Sequence, residues 1–307
     1  MSIEKSAGSM SARRRESIAG WLFISPWLVG FLAFLLLPIV TSFWLSFTKS
    51  DFLSPTVFVG IDNFRTIFTA DPLFVKSLVN TSYYSLVRVP AGIVIAVAMA
   101  LLLNRALPGV ALFRTVYYLP SVVSGVAVSL LWVWIFQPNW GLANTALKAL
   151  GLPALAWLQS ETWAMPAIII TSLWGVGGSM IIYLAGLRSI PSGLYEAASL
   201  DGAGSIRQFV HITLPLLTPT LFYGLITGII GSFQVFTASY IMTGGGPANA
   251  TLTYVLYLYR KAFEQFHMGY GCALAWILLF IILILTVLVF RTSSAWVFYE
   301  AELRGKK

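Results

Sequence analysis

The chain has 307 residues, 58% of them hydrophobic and 10% charged, with a mean hydropathy of +0.83. Soluble domains carry roughly 25% charged residues, so too few polar groups are present to cover a globule. A soluble enzyme, a disordered chain and a nucleic-acid-binding domain are excluded. The net charge of +8 suits charge flanking membrane spans better than a phosphate-binding surface. The single cysteine, Cys272, lies inside an apolar run, which leaves no disulfide framework and no CxxC metal or redox site. An all-α integral membrane protein is expected.

A crossing of about 30 Å of hydrocarbon takes roughly 20 apolar residues. In chain order the spans fall near 20–47, 80–103, 115–137, 162–187, 216–242 and 268–290. The first contains no charge, with Trp21 and Trp27 toward one interface and Trp44 toward the other. Arg13-Arg14-Arg15 ahead of it resembles a secretory signal, but the apolar stretch is too long for a signal core. The second is interrupted by Arg88 and Pro90. Apolar residues run continuously instead of alternating, as helices require and barrel strands do not.

Six crossings put both termini on one side. Lys5, Arg13, Arg14, Arg15, Arg105, Arg114, Arg188, Arg207, Arg291, Arg304, Lys306 and Lys307 lie on that side. Only Lys49, Arg65, Lys76, Lys148, Arg260 and Lys261 lie on the other, so the tails 1–19 and 291–307 are expected in the cytoplasm. The outer face then holds 48–79, 138–161 and 243–267. The first of these is turn-rich and then reads as short amphipathic helices around Phe64–Phe68 and Phe74–Leu78. Loops 104–114 and 188–215 face inward.

Loop 188–215 has helical punctuation. Pro191 suits a first helical turn, and Ser192 to Leu200 spans about two and a half turns. Asp201-Gly202 with Gly204 supplies a turn. A second short helix places Ile206, Phe209, Val210 and Thr213 on one face, and Pro215 is expected to close it and open the fifth span. Two short helices cannot bury such a face unaided, so it is expected to meet a partner.

Glu196-Ala197-Ala198, Gly202 and Ile212-Thr213-Leu214-Pro215, at this spacing and in the loop before the second-last span, resemble the signature of bacterial ABC importer permeases. Gly60, Asn63-Phe64, Asn80-Thr81, Leu119-Pro120 and Met242-Thr243-Gly244-Gly245-Gly246-Pro247 resemble the sugar-importer branch. Within it, the chain most resembles the first permease of maltose-type and glycerol-3-phosphate-type importers. The resemblance implies a type I importer permease fold over the core 80–290. It also implies pairing with a second, homologous permease, two ATP-hydrolysing subunits and an extracytoplasmic solute-binding protein. Glu196, Ala197, Ala198, Asp201, Gly202, Ile212, Leu214 and Pro215 would form the ATPase-coupling element, and the cargo would be a carbohydrate.

This chain has no GxxxxGK[ST] cradle, so ATP and magnesium would be bound by the partner ATPase. No catalytic constellation and no cofactor or metal site is expected in it, since His211 and His267 fall on opposite faces. Family members line the path with the spans flanking the coupling loop. The residues expected there are Trp174, Gly175 and Gly178 before the loop, and Gly228, Gly231, Ser232 and Gln234 after it. Rings stack on sugar faces and hydroxyls or amides bond sugar hydroxyls, although small residues at midplane also serve plain helix packing. Arg88 is placed in the outer third of its helix, where arginine snorkels to the interface. Were it to face the path, an anionic cargo such as a polyol phosphate would be favoured over a neutral sugar. A stand-alone secondary transporter would call for intramembrane carboxylates or inverted repeats, and neither is visible.

Overall fold

A computed structural model describes residues 12–51, 54–105 and 108–298. Lys5, Arg304, Lys306 and Lys307 of the charge count, with the far ends of both tails, lie outside the described residues.

The first span is a rod made of Ala12–Phe31, a π turn at Leu32–Leu36, and Leu37–Ser46. Its most apolar stretch buries nothing inside the chain, so its side chains suit lipid contact. It is held at its C-terminal end, where Leu37–Ser46 packs along the last long helix, Met268–Ser293. Phe43 meets Trp276 edge-on with centroids 4.9 Å apart, and the Trp276 indole N–H donates to Ser42 Oγ at 3.3 Å. A Cβ on Gly269 would stand 1.9 Å from the Thr48 carbonyl oxygen; only glycine permits this approach.

Strands Thr48–Lys49 and Val57–Phe58 pair antiparallel, and Asp62–Thr69 is helical. The Asn63 side chain donates to the carbonyls of Ser46 and Thr48, both at 2.9 Å. The second expected surface helix, around Phe74–Leu78, is instead the opening of a 32-residue helix, Pro72–Leu103. Asp71 is the reason. Its carboxylate accepts from the N–H groups of Leu73 and Phe74 at 3.1 Å, and Pro72 takes the first helical position, so the helix starts eight residues earlier than apolar content suggests.

The spans expected at 115–137 and 162–187 are each broken. Val110–Val122 and Gly125–Ile135 meet at 99°, and Ala164–Trp174 and Gly177–Arg188 at 49°. In the first, Pro120 withdraws a backbone donor from the last turn and Val123 and Ser124 are extended. In the second, Gly177 opens the following helix, and its backbone lies so close to Tyr117 that a Cβ would fall 2.0 Å from that carbonyl oxygen. Among the described residues four unbroken helices are long and apolar enough to cross a membrane, and counting each bent pair as one span gives six.

Pro72–Leu103 is the central element, packed on Gly177–Arg188 and on Leu214–Phe233. Ala96, Ala100, Met180, Tyr183, Leu184 and Leu217 form the buried contact. A second core joins Phe74, Tyr254 and Leu274, and a third joins Phe136, Trp157 and Ile168. The 243–253 turn, with Gly244 and Gly245 at positive φ, is clamped by the Asn80 amide, which donates to the carbonyls of Asn249 (2.8 Å) and Leu252 (3.0 Å). Thr81 Oγ1 accepts from the Tyr254 N–H at 2.8 Å. The motif residues Asn63, Asn80 and Thr81 thus hold irregular backbone, which has no helical partner of its own.

Asp71 also accepts from the hydroxyls of Tyr257 and Tyr270, and the Lys261 ammonium sits over both rings, 5.6 and 5.4 Å from their centroids. Burial pushes the Asp71 carboxyl up, but the two hydroxyls, the Phe74 N–H and Lys261 together outweigh it and hold it below its ordinary value. A carboxyl depressed by folding stabilises above its unfolded pKa of about 3.9, and that stability is lost as pH falls through the lower folded value. Thermal unfolding of the detergent-solubilised protein is therefore expected to show a falling acid limb below about pH 4. Asp71→Asn should lower the midpoint at pH 7 and flatten that limb.

Candidate functional site

Ser192–Leu200 is a helix that ends in a defined cap. Gly202 takes φ +75°, its N–H bonds the Ser199 carbonyl at 3.1 Å, and the Ala203 N–H bonds the Ala198 carbonyl at 2.9 Å. This is the Schellman arrangement, with glycine at the left-handed position. Tyr195 Oη and Thr213 Oγ1 lie 2.9 Å apart, and the Gln208 amide donates to Ser199 Oγ (3.0 Å) and the Ala203 carbonyl (2.9 Å). These bonds lock the short helix against the helical segment beyond the Gly202 turn. Glu196, Ala197 and Asp201 are exposed and Ala198 is half-buried. Leu200 and Ile206 are 90% and 82% exposed, so an apolar and acidic surface stands uncovered at this end of the chain.

The structure differs from expectation at Pro215. Instead of closing one helix and opening another, it lies within one uninterrupted helical path from Ser205 to Phe233. The segment Phe209–Thr213 is a π turn, in which the Leu214 N–H reaches back to the Phe209 carbonyl. Widening the turn gives the proline ring room and absorbs the missing donor. Ile212 packs into the core shared with Leu217, Leu214 is exposed, and Pro215 is half-buried. Of the expected coupling residues, Ile212, Leu214 and Pro215 therefore sit in the first part of the rod that carries the fifth span, and Glu196 to Gly202 lie on the short helix and turn bonded to it.

Further along that rod is a cavity of about 260 Å³ between Pro72–Leu103, Gly177–Arg188 and Leu214–Phe233. Gly228, Gly231 and Ser232, three of the residues expected on the path, line it, together with Tyr84, Arg88, Ser179, Tyr183, Gly224 and Thr227. Ser85 Oγ and Ser232 Oγ, 2.6 Å apart, tie two of its walls. Trp174, Gly175, Gly178 and Gln234 are not among its lining residues. Trp174, 40% exposed, packs edge-on to Trp132 at 6.1 Å. Gly175 ends Ala164–Trp174, Gly178 stands beside Ser121, and Gln234 ends Leu214–Phe233.

Arg88 is the main correction. It lines the cavity and is half-buried. Because its helix starts at Pro72, sixteen residues earlier, Arg88 lies about 24 Å from that end by the helical rise and close to the middle of the helix. Tyr183 and Gly224 were also missed. A Cβ at Gly224 would lie 1.9 Å from Tyr183 Oη, so this glycine gives the hydroxyl its place. Gly224, Gly228 and Gly231 recur at helical spacing, and following the stripe one turn back finds the missing member.

Residues 89–297 match the family described as the inner membrane component of binding-protein-dependent transport systems. The chain belongs to this family. It is 43% identical over 293 residues to the probable ABC transporter permease YesP of Bacillus subtilis, covering 94% of each chain. It is 33% identical to the arabinooligosaccharide transport permease AraP of the same species, covering 96% of this chain and 94% of that one. A chain from the crystal structure of a bacterial alginate ABC transporter, in complex with an alginate pentasaccharide-bound periplasmic protein, superposes with a TM-score of 0.80. That likeness covers 91% of this chain and 95% of the other at 24% identity. A chain from a structure of a bacterial ABC transporter that imports the acidic polysaccharide alginate gives 0.78 at 26% identity, over 92% and 99%. The fold is that of the type I ABC permeases.

Gly224→Ala should displace the Tyr183 ring, destabilising the protein by about 1–3 kcal/mol through overpacking. Thermal unfolding of Gly224→Ala beside Gly231→Ala checks this, since nothing lies within 4 Å of a Cβ at Gly231 and that variant should unfold like the parent.

Proposed function

We propose that this permease is one of two homologous membrane subunits of an ATP-driven importer, and that it moves a carbohydrate delivered by an extracytoplasmic binding protein. The observation that supports this most is the rod from Ser205 to Phe233, which is bonded at one end to the helix bearing Glu196 and carries the cavity wall toward the other. The cargoes named for the relatives, arabinooligosaccharides and alginate, point to the same class. Both termini and the Ser192–Leu200 helix would lie in the cytoplasm, where that helix would dock in a groove of one of two ATPase subunits.

Small Ala197 and Ala198 let the helix lie close to such a wall, and Glu196, which makes no hydrogen bond or ion pair among the described residues, offers a charge-assisted bond to a basic group. ATP and magnesium would be bound by the ATPases alone. Closure of that pair would push on the short helix, and the bonds locking it to the rod would carry the push to the cavity, exposing it to alternate sides. A non-sugar anion such as glycerol-3-phosphate is the second reading, favoured by Arg88 in the cavity wall.

Affinity purification from the native membrane is expected to recover an ATPase and a second permease with this chain. Glu196→Ala and Gly202→Asp should both reach the membrane and abolish uptake. A Cβ at residue 202 meets nothing within 4 Å, so the fault in the second variant would come from the left-handed backbone, at about 1–2 kcal/mol, and from the docking surface. Normal uptake by Gly202→Asp would overturn the coupling assignment.

A further inference from the structure

We infer that Arg88 reads the charge of the cargo, and that the cavity takes a sugar bearing a single carboxylate, of the uronic acid kind. This deepens the importer reading and rests on it. Arg88 is half-buried midway along an apolar helix and lines the cavity, where an ionised side chain is costly unless something offsets it. The cavity wall contains no aspartate or glutamate. The Arg260–Glu264 ion pair, at 3.7 Å, lies outside this cavity. Arg88 therefore lines the cavity with no acidic side chain beside it in the wall.

The rest of the wall says what kind of anion fits. Tyr84, Ser179, Tyr183 and Thr227 bring hydroxyls, which exchange hydrogen bonds with sugar hydroxyls. Gly231, where a Cβ would meet nothing within 4 Å, leaves room on one wall for a ring, while Gly224 and Gly228 are covered by Tyr183 and Val89. Arg88 is the only charged lining residue. A single guanidinium balances one negative charge and grips a planar carboxylate through two parallel N–H bonds. A phosphate monoester, near −2 at neutral pH, would leave about one charge uncompensated. The volume of about 260 Å³ is slightly below the usual range for ligand pockets, about 300–1,000 Å³, which suits one sugar ring.

The test uses the purified complex of this chain with its partner permease and ATPases, in parent, Arg88→Gln and Arg88→Lys forms. Affinities for galacturonate, galactose and glycerol-3-phosphate are measured from the ligand-dependent shift of the unfolding midpoint. Galacturonate should bind the parent about tenfold or more tighter than galactose, the worth of hydrogen bonds to a charged group. That preference should vanish in Arg88→Gln and persist in large part in Arg88→Lys. Equal binding of the two sugars, or a preference that survives Arg88→Gln, would overturn the proposal, as would Arg88-dependent binding of glycerol-3-phosphate alone. A carboxylate of the second permease pairing with Arg88 would show as lower stability of Arg88→Gln with no change in ligand preference, again overturning it. If no probe binds, the inference about Arg88 falls, while recovery of the ATPases with the chain keeps the importer reading intact; their absence would remove that reading first.

Discussion

Pro215 forces a choice on the backbone, and the rest of the account depends on how that choice is made. Proline lacks a donor, and its ring presses on the carbonyl four residues back. A helix meeting it either breaks or widens. Here it widens into the π turn Phe209–Thr213, and the chain continues as one rod to Phe233. A break would separate Ser205–Gln208, and the short helix bonded to it, from the span. The widened turn keeps Ser205 to Pro215 on the same body as the cavity wall, with the Glu196 helix bonded to it.

Two sets of contacts join that body to its neighbours. Near one end, Tyr195 bonds Thr213 and Gln208 bonds Ser199 and Ala203, tying the short helix to the rod across the Gly202 turn. Toward the other end, Tyr183 fits against Gly224 and Ser85 meets Ser232, joining the rod to both neighbouring helices. Buried irregular backbone must find partners, and the 243–253 turn finds them in Asn80 and Thr81.

Much of this was legible in the sequence because it rests on local signals. Continuous apolar runs gave the spans, and the punctuation from Pro191 to Gly204 gave the short helix and its turn. Gly228, Gly231 and Ser232 stood out as small or polar residues in an apolar run, and they do line the cavity. What was not legible depends on where helices begin and bend. Asp71 caps a helix whose first turns look like a surface segment, so Arg88 was placed too near an end. The 99° break after Val122 is marked only by Pro120, Ser121, Ser124 and Gly125, uncharged residues that do not interrupt the apolar content of a span. Tyr183 could not be assigned from its own helix, since its place is set by Gly224 on another.

The central claim is that the coupling end and the cavity wall move as one rod. The most direct measurement is a spin-label distance between Ser205→Cys and Tyr223→Cys, in a Cys272→Ser background, within the assembled transporter. Eighteen residues of helix separate the labels by about 27 Å. The account predicts the same narrow distance without nucleotide and with ATP trapped. A distance that broadens or shifts between the two states would show that the π turn is a hinge, and would contradict it.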